Sequence, residues 1–267
     1  MPGQISRLAR KDLAIARKLR NRRRGAGHRF ALALALFVAL ALPIGARADE
    51  TAAFLEASAT AYAPYRSAMA YLHTGNDGLA ALALDAMAAR WAALCDRFQT
   101  QPPEAFAKDP AWQASLDGIT GRIAAARVKL EAGDGEGAET LLVPIRADLG
   151  ALRRRNGIVT HSDRIDDFSA AMTAIWVHRR APPDMADAQT LAALAEQARV
   201  LRQALEDAAA GPPASTAADP QFQRLIAGSF DSVATIDRAI ETLDRTLLIS
   251  ALRELRSSEQ LLWMHFG

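Results

Sequence analysis

A chain of 267 residues with 32 Lys+Arg against 30 Asp+Glu looks near neutral, but residues 1–48 hold 11 of the basic and one of the acidic residues, net +10; the 21 basic and 29 acidic residues that follow give net −8. An acidic body is a poor match for a polyphosphate, so composition argues against nucleic acid as a partner. The single cysteine, Cys95, excludes an internal disulfide and every C-x-x-C metal, redox or c-type haem attachment motif.

In chain order, a basic stretch from Arg7 to Arg29 precedes an apolar run over 30–42, which Pro43 breaks and Ala46-Arg47-Ala48 follows. This order predicts a secretory signal peptide over 1–48 with cleavage after Ala48, hence a periplasmic or secreted protein. The 13 apolar residues reach about 20 Å as a helix, short of the roughly 30 Å hydrocarbon core, so no stable membrane span is expected after cleavage. An uncleaved N-terminal anchor is the alternative. Arg22-Arg23-Arg24 offers paired arginines for a twin-arginine route, yet no hydrophobic residue follows at the close spacing such signals use, which favours Sec-type export.

Past residue 48 no alternating pattern of any length occurs, and apolar residues recur every three or four positions, which predicts an all-α chain. Caps are expected at Asn76, Asp134, Asp187 and Asp244. Four residues past these caps stand Ala80, Ala138, Leu191 and Leu248; seven past, Ala83, Leu141, Leu194 and Ala251. Eleven past come Met87, Ile145, Ala198 and Leu255; eighteen past, Leu94, Leu152, Leu205 and Leu262. These steps keep to one helix face. Eleven before the caps stand Tyr65, Ile123, Trp176 and Val233, so each cap joins two amphipathic helices into an αα-hairpin.

A longer period overlies the hairpins. Pro102-Pro103, Asp109-Pro110 and Trp112-Gln113 recur as Pro212-Pro213, Asp219-Pro220 and Phe222-Gln223, a constant offset of 110 residues that also carries Asp134 onto Asp244 and Leu152 onto Leu262. The pattern predicts an internal duplication into two tandem four-helix bundles, 49–158 and 159–267. A short α-solenoid of four hairpins is the alternative.

Candidate site residues each have a structural explanation beside the functional one. His73 and His178 stand at expected helix ends, where the dipole favours them. His161 falls in the link between the units, an expected surface position. Asp163 and Asp167, one turn apart, and Asp166 suit either a metal or a helix N-terminus; Arg153-Arg154-Arg155 suits an anion or a helix C-terminus. Cys95 adjoins core Leu94 and reads as a small hydrophobe. Gly133-Asp134-Gly135-Glu136-Gly137 is far too short for an EF-hand and reads as a hairpin turn.

Met172 near the start of one expected helix and His265 at the end of the fourth after it make the sharpest pair. This placement resembles the four-helix b-type cytochromes, which hold haem between a Met early in helix one and a His late in helix four. The resemblance covers about 105 residues and implies haem b with Met172 and His265 as axial ligands in an electron-transfer or storage bundle. The 110-residue offset puts Tyr62 and Arg155 at the equivalent places of the first unit, so the resemblance implies one site at most. The c′ cytochromes are a further structural cousin, but their C-x-x-C-H motif is absent. With no G-x-S-x-G, no H-E-x-x-H and no phosphate-cradling glycine loop, the residues favour a non-enzymatic exported protein. It would bind a protein partner or a small ligand in the cell envelope, with no catalytic residue, metal or cofactor expected.

Overall fold

A computed structural model describes residues 44–267, with side chains from residue 50 onward. The expected signal peptide lies outside the described residues up to residue 43. The described chain is helical, with no strand among the described residues. In order come α1 (Ile44–His73), α2 (Asp77–Phe98), α3 (Trp112–Glu131), α4 (Gly135–Leu142) and α5 (Pro144–Arg155). There follow α6 (His161–Trp176), α7 (Ala188–Ala209), α8 (Pro220–Glu241) and α9 (Arg245–Phe266), with single turns at Glu104–Phe106, Val177–Arg179 and Ala214–Ala217. Phe54–Gly267 form one compact unit, in which most of α1 with α2 to α5 makes a first set of helices and α6 to α9 a second.

All four expected caps are used. The side chains of Asn76, Asp134, Asp187 and Asp244 accept from the backbone N–H groups of Leu79, Gly137, Thr190 and Leu247. Gly75 and Gly133, one residue before their caps, take φ of 71° and 73°, which a glycine adopts freely; Leu243 holds the same place at 55°, where its Cβ is strained. Asp109 and Asp219 also act alike: Asp109 accepts from Ala111 N–H at 2.9 Å and Asp219 from Gln221 N–H at 2.7 Å, and each is followed by a buried aromatic, Trp112 or Phe222.

The expected register holds at most positions; Leu191 and Trp176 are half-buried at the edge of the second core, and two positions of the first set shift. Seven residues past Asn76 and Asp134, Ala83 and Leu141 are only half-buried, and the core is filled instead by Leu84 and Leu142, eight past the caps. At about 100° per residue the buried positions of α2, from Ala80 through Met87, Trp91 and Leu94 to Phe98, centre on a line that passes nearer to Leu84 than to Ala83. In the second pair of helices Leu194 and Ala251, seven past their caps, are buried. The helix expected to run on from Asp134 is broken at Val143 because Pro144, with no N–H and a fixed φ, opens α5.

In the second set α6 packs on α7, α7 on α8, α8 on α9, and α9 returns to α6. That closed circuit is an up-and-down four-helix bundle rather than an open stack of hairpins. Its core runs from Ile165, Phe168 and Met172 through Leu201 and Leu205 to Ile236, Leu252 and Leu255. In the first set Phe54 of α1 meets the rings of Phe98, Phe106 and Trp112 at centroid distances of 5.5, 4.9 and 5.0 Å. Pro64 lies inside α1 and offers no N–H to the carbonyl of Thr60 four residues back; Arg90 of α2 donates to that oxygen at 2.9 Å instead. By length and composition α2 is apolar enough to cross a bilayer. Its buried stripe of Leu84, Met87, Trp91, Leu94 and Phe98 is also that of a core helix.

Candidate functional site

The two sets of helices are joined where α5 meets α6, and the Arg153-Arg154-Arg155 run makes the joint. Arg153 pairs with buried Asp163 through two bonds of 2.8 and 2.6 Å, Arg154 meets Asp167 at 2.6 Å, and Arg155 turns back to Asp109 at 2.7 Å. Asp163 also closes a capping box with Thr160, accepting from its N–H at 2.8 Å and its hydroxyl at 2.7 Å. These donors outweigh the cost of burial and hold the Asp163 carboxyl below the usual carboxylate range. The acidic trio that opens α6 is therefore matched to arginines, Asp166 being paired with Arg146. Among the described residues no group of three or more His, Cys, Asp or Glu is placed to hold a metal ion.

Arg146 leads into a cavity of about 350 Å³ lined by α1, α5, α6 and α9. Its polar wall includes Arg146, Ser169, Arg256, Glu259 and Trp263, with Glu139 of α4 and Gln260 beside them; Met69 and Met264 supply apolar surface. Glu259 is 3% exposed. Its Oε1 accepts a very short bond from Ser169, and Arg256 Nη1 lies 3.1 Å from Oε2 without the alignment of a hydrogen bond. Burial pushes the Glu259 carboxyl up against the opposing pull of Ser169, Arg256 and Arg146. Burial likewise pushes Asp166 up to about 6 although Arg146 touches it.

Arg146 itself is not fully used. Its guanidinium lies over the Trp263 ring, 5.1 Å from the centroid, and Nε serves Asp166, but Nη2 is enclosed with no hydrogen-bonding partner in the protein. The Trp263 indole N–H and the Tyr62 hydroxyl are enclosed and unpaired as well, though close enough for the indole to favour the phenolate. Burial dominates and drives the Tyr62 and Tyr65 phenols far up, so both are neutral donors. A buried polar group without a partner costs about 1–3 kcal/mol, and several around one cavity mark a surface shaped for something other than packing. A larger groove of about 520 Å³ along α3 and α5 contains only matched charges, Arg122 with Asp148 and Arg155 with Asp109.

The residues expected from sequence fall in different environments. Met172 is fully enclosed in the core of the second bundle. His265 is exposed beside Phe266 and lines a separate cavity with His161, Tyr62 and Arg66, so the pair implied as haem ligands does not share one of these cavities. His161, expected at the surface, is half-buried: its ring lies edge-on to Phe222 at 5.6 Å and both ring nitrogens are enclosed. His178 meets Gln197 at 2.7 Å, and His73 lines the rim of the Arg146 cavity. Cys95 is half-buried 4.0 Å from the Thr120 hydroxyl, with burial pushing its thiol up, which suits a packing role.

Arg146, Ser169, Arg256 and Glu259 are absent from the residues singled out by sequence, yet the sequence carries a signal for three. Glu259 stands fifteen residues past Asp244 on the stripe that holds Leu248, Leu255 and Leu262, an acid where the pattern demands an apolar residue. Arg146 and Arg256 each stand twelve past a capping aspartate, so the same helix position delivers both arginines to one cavity. Ser169 has no comparable signal. No protein-family model matches the chain, and neither curated proteins nor solved structures give a significant match.

Proposed function

We propose that this is an exported, non-enzymatic helical protein whose cavity between α1, α5, α6 and α9 binds a small organic acid. The observation that carries the reading is the enclosed Nη2 of Arg146, a charged donor with no protein partner beside a second arginine, Arg256. A carboxylate on the ligand would take that donor and face both guanidinium groups. The raised carboxyl of Glu259 would meet a hydroxyl or amine on the same ligand, and Met69, Met264 and the Trp263 ring would cover its carbon skeleton. Export rests on the basic, apolar and Ala46-Arg47-Ala48 segments in order.

Native mass spectrometry of protein recovered from its own envelope tests both parts. The expected chain begins at Asp49 and carries an added small-molecule mass that Arg146→Met removes. An unprocessed chain in the cytoplasm sinks the export reading. A ligand-free protein whose melting is unmoved by a panel of hydroxy, amino and dicarboxylic acids sinks the binding reading.

A further inference from the structure

A second cavity, of about 300 Å³, opens between α1, the start of α6, the end of α9 and the turn at Ala214–Ala217. It has none of its lining residues in common with the Arg146 cavity, although the Tyr62 hydroxyl on its wall also neighbours Arg146 and Trp263. Three of its polar groups lack partners in the protein. Tyr62 is 6% exposed and its hydroxyl is enclosed and unpaired, as are Nδ1 and Nε2 of His161. Arg66 uses Nε to donate to the Met264 carbonyl at 2.9 Å and lies over the Tyr62 ring at 5.5 Å, yet it forms no ion pair with a described carboxylate. Burial pulls the Arg66 guanidinium below its ordinary pKa against the attraction of Asp166, and burial with nearby Arg164 does the same to the His161 imidazole. Arg153 adds a further guanidinium, its own charge taken up by Asp163, and Ser58, 4% exposed, adds a hydroxyl.

We propose that this cavity binds a small tetrahedral oxyanion of the phosphate or sulfate type, held by Arg66, His161 and the Tyr62 hydroxyl. The donors come from different elements: Ser58, Tyr62 and Arg66 from α1, His161 from α6, with His265 from α9 at the rim. A tetrahedral oxyanion presents acceptors in every direction and can answer donors on several walls at once. A carboxylate presents two oxygens along one edge and cannot. A metal cation is disfavoured by two guanidinium groups on the wall. The His161 ring is braced by Phe222 on one side, so its nitrogens are held in place before any anion arrives. Phosphate would also supply the acceptor that the Tyr62 hydroxyl lacks and the direct ion pair that Arg66, attracted by Asp166 without touching it, does not make.

The test is calorimetric titration of the purified protein in chloride buffer with inorganic phosphate, with sulfate and with acetate. One saturable site for phosphate or sulfate, at least tenfold weaker for acetate and at least tenfold weakened by Arg66→Gln, supports the assignment; which of the two anions binds more tightly identifies the source. No saturable binding, equal affinity for acetate, or undiminished binding by Arg66→Gln overturns it. The wild-type histidine ring resonances give a check that needs no variant. Phosphate should shift those of His161 and His265 while leaving His73 and His178, which line no part of this cavity, in place. Equal movement of all four means an adventitious ion only, and refutes the site.

Discussion

The buried pair at the joint between the two helical sets gives the sharpest test of the structure. Replacing Arg153 with Met keeps most of the apolar stem in place and removes two charge-assisted bonds, of 2.8 and 2.6 Å, from a carboxylate that is fully buried. Breaking a buried pair from one side costs about 3–5 kcal/mol, because the remaining charge is stranded in a poorly polarisable surrounding. Asp163 keeps the Thr160 N–H and hydroxyl and the start of α6, and a helix N-terminus is worth about 1 kcal/mol to a carboxylate. The expected loss is therefore near the lower end, about 3 kcal/mol, or about 6–12 °C in melting temperature at two to four degrees per kcal/mol for a chain of this size. Urea unfolding followed by circular dichroism measures it. The double variant Arg153→Met/Asp163→Leu should recover much of the loss, since neither charge is then stranded. The pH dependence has a definite sign: the Asp163 carboxyl is held below its unfolded value of 3.8, so its stabilisation is present above that value and disappears as pH falls through the lower folded one. The gap between wild type and Arg153→Met should narrow in acid. A loss under about 1 kcal/mol for the single variant, or a double variant worse than the sum of its parts, would refute the reasoning.

Two further outcomes follow from the core and from the Arg146 network. Leu142→Ala should cost about 2–5 kcal/mol because Leu142 is fully enclosed, whereas the same change at half-buried Leu141 should cost under about 1 kcal/mol; equal losses by chemical denaturation would put the α4 stripe in the wrong register. Asp166, raised from 3.8 to about 6, holds a proton in the fold that it has lost in the unfolded chain across that interval. Its contribution is complete below pH 4 and declines as pH rises through the folded value, by about 3 kcal/mol at 1.36 kcal/mol per unit. Asp166→Asn should remove that decline from the stability profile, and a wild-type profile flat from pH 4 to 7 would contradict it.

How much of this was legible in the chain differs by element. Asn76, Asp134, Asp187 and Asp244 announce their caps because a side-chain oxygen one residue before a helix satisfies a backbone donor in the same few residues, and each was found in that role. The stripes through Leu152, Leu205, Leu255 and Leu262 were legible for the same reason: helical periodicity is local, and apolar residues repeat with it. Ala83 and Leu84, like Leu141 and Leu142, are apolar neighbours that the pattern alone does not rank, so only the facing helices decided that Leu84 and Leu142 fill the core.

The sequence by itself therefore determined the helices, their caps, the hairpin spacing and the acidic character of the body after residue 48, all of which depend on residues close along the chain. The tertiary structure alone decided that α9 returns to α6, that Met172 is sealed in the core while His265 faces outward, and that Arg153 finds Asp163. It also brought Arg146, Ser169 and Glu259 to one wall, and Tyr62, Arg66 and His161 to another, from positions as far as 113 and 99 residues apart in the chain. The physical reason is that charge compensation and burial depend on what lies within a few ångströms in space. That is fixed by packing between helices, and no spacing along one helix records it.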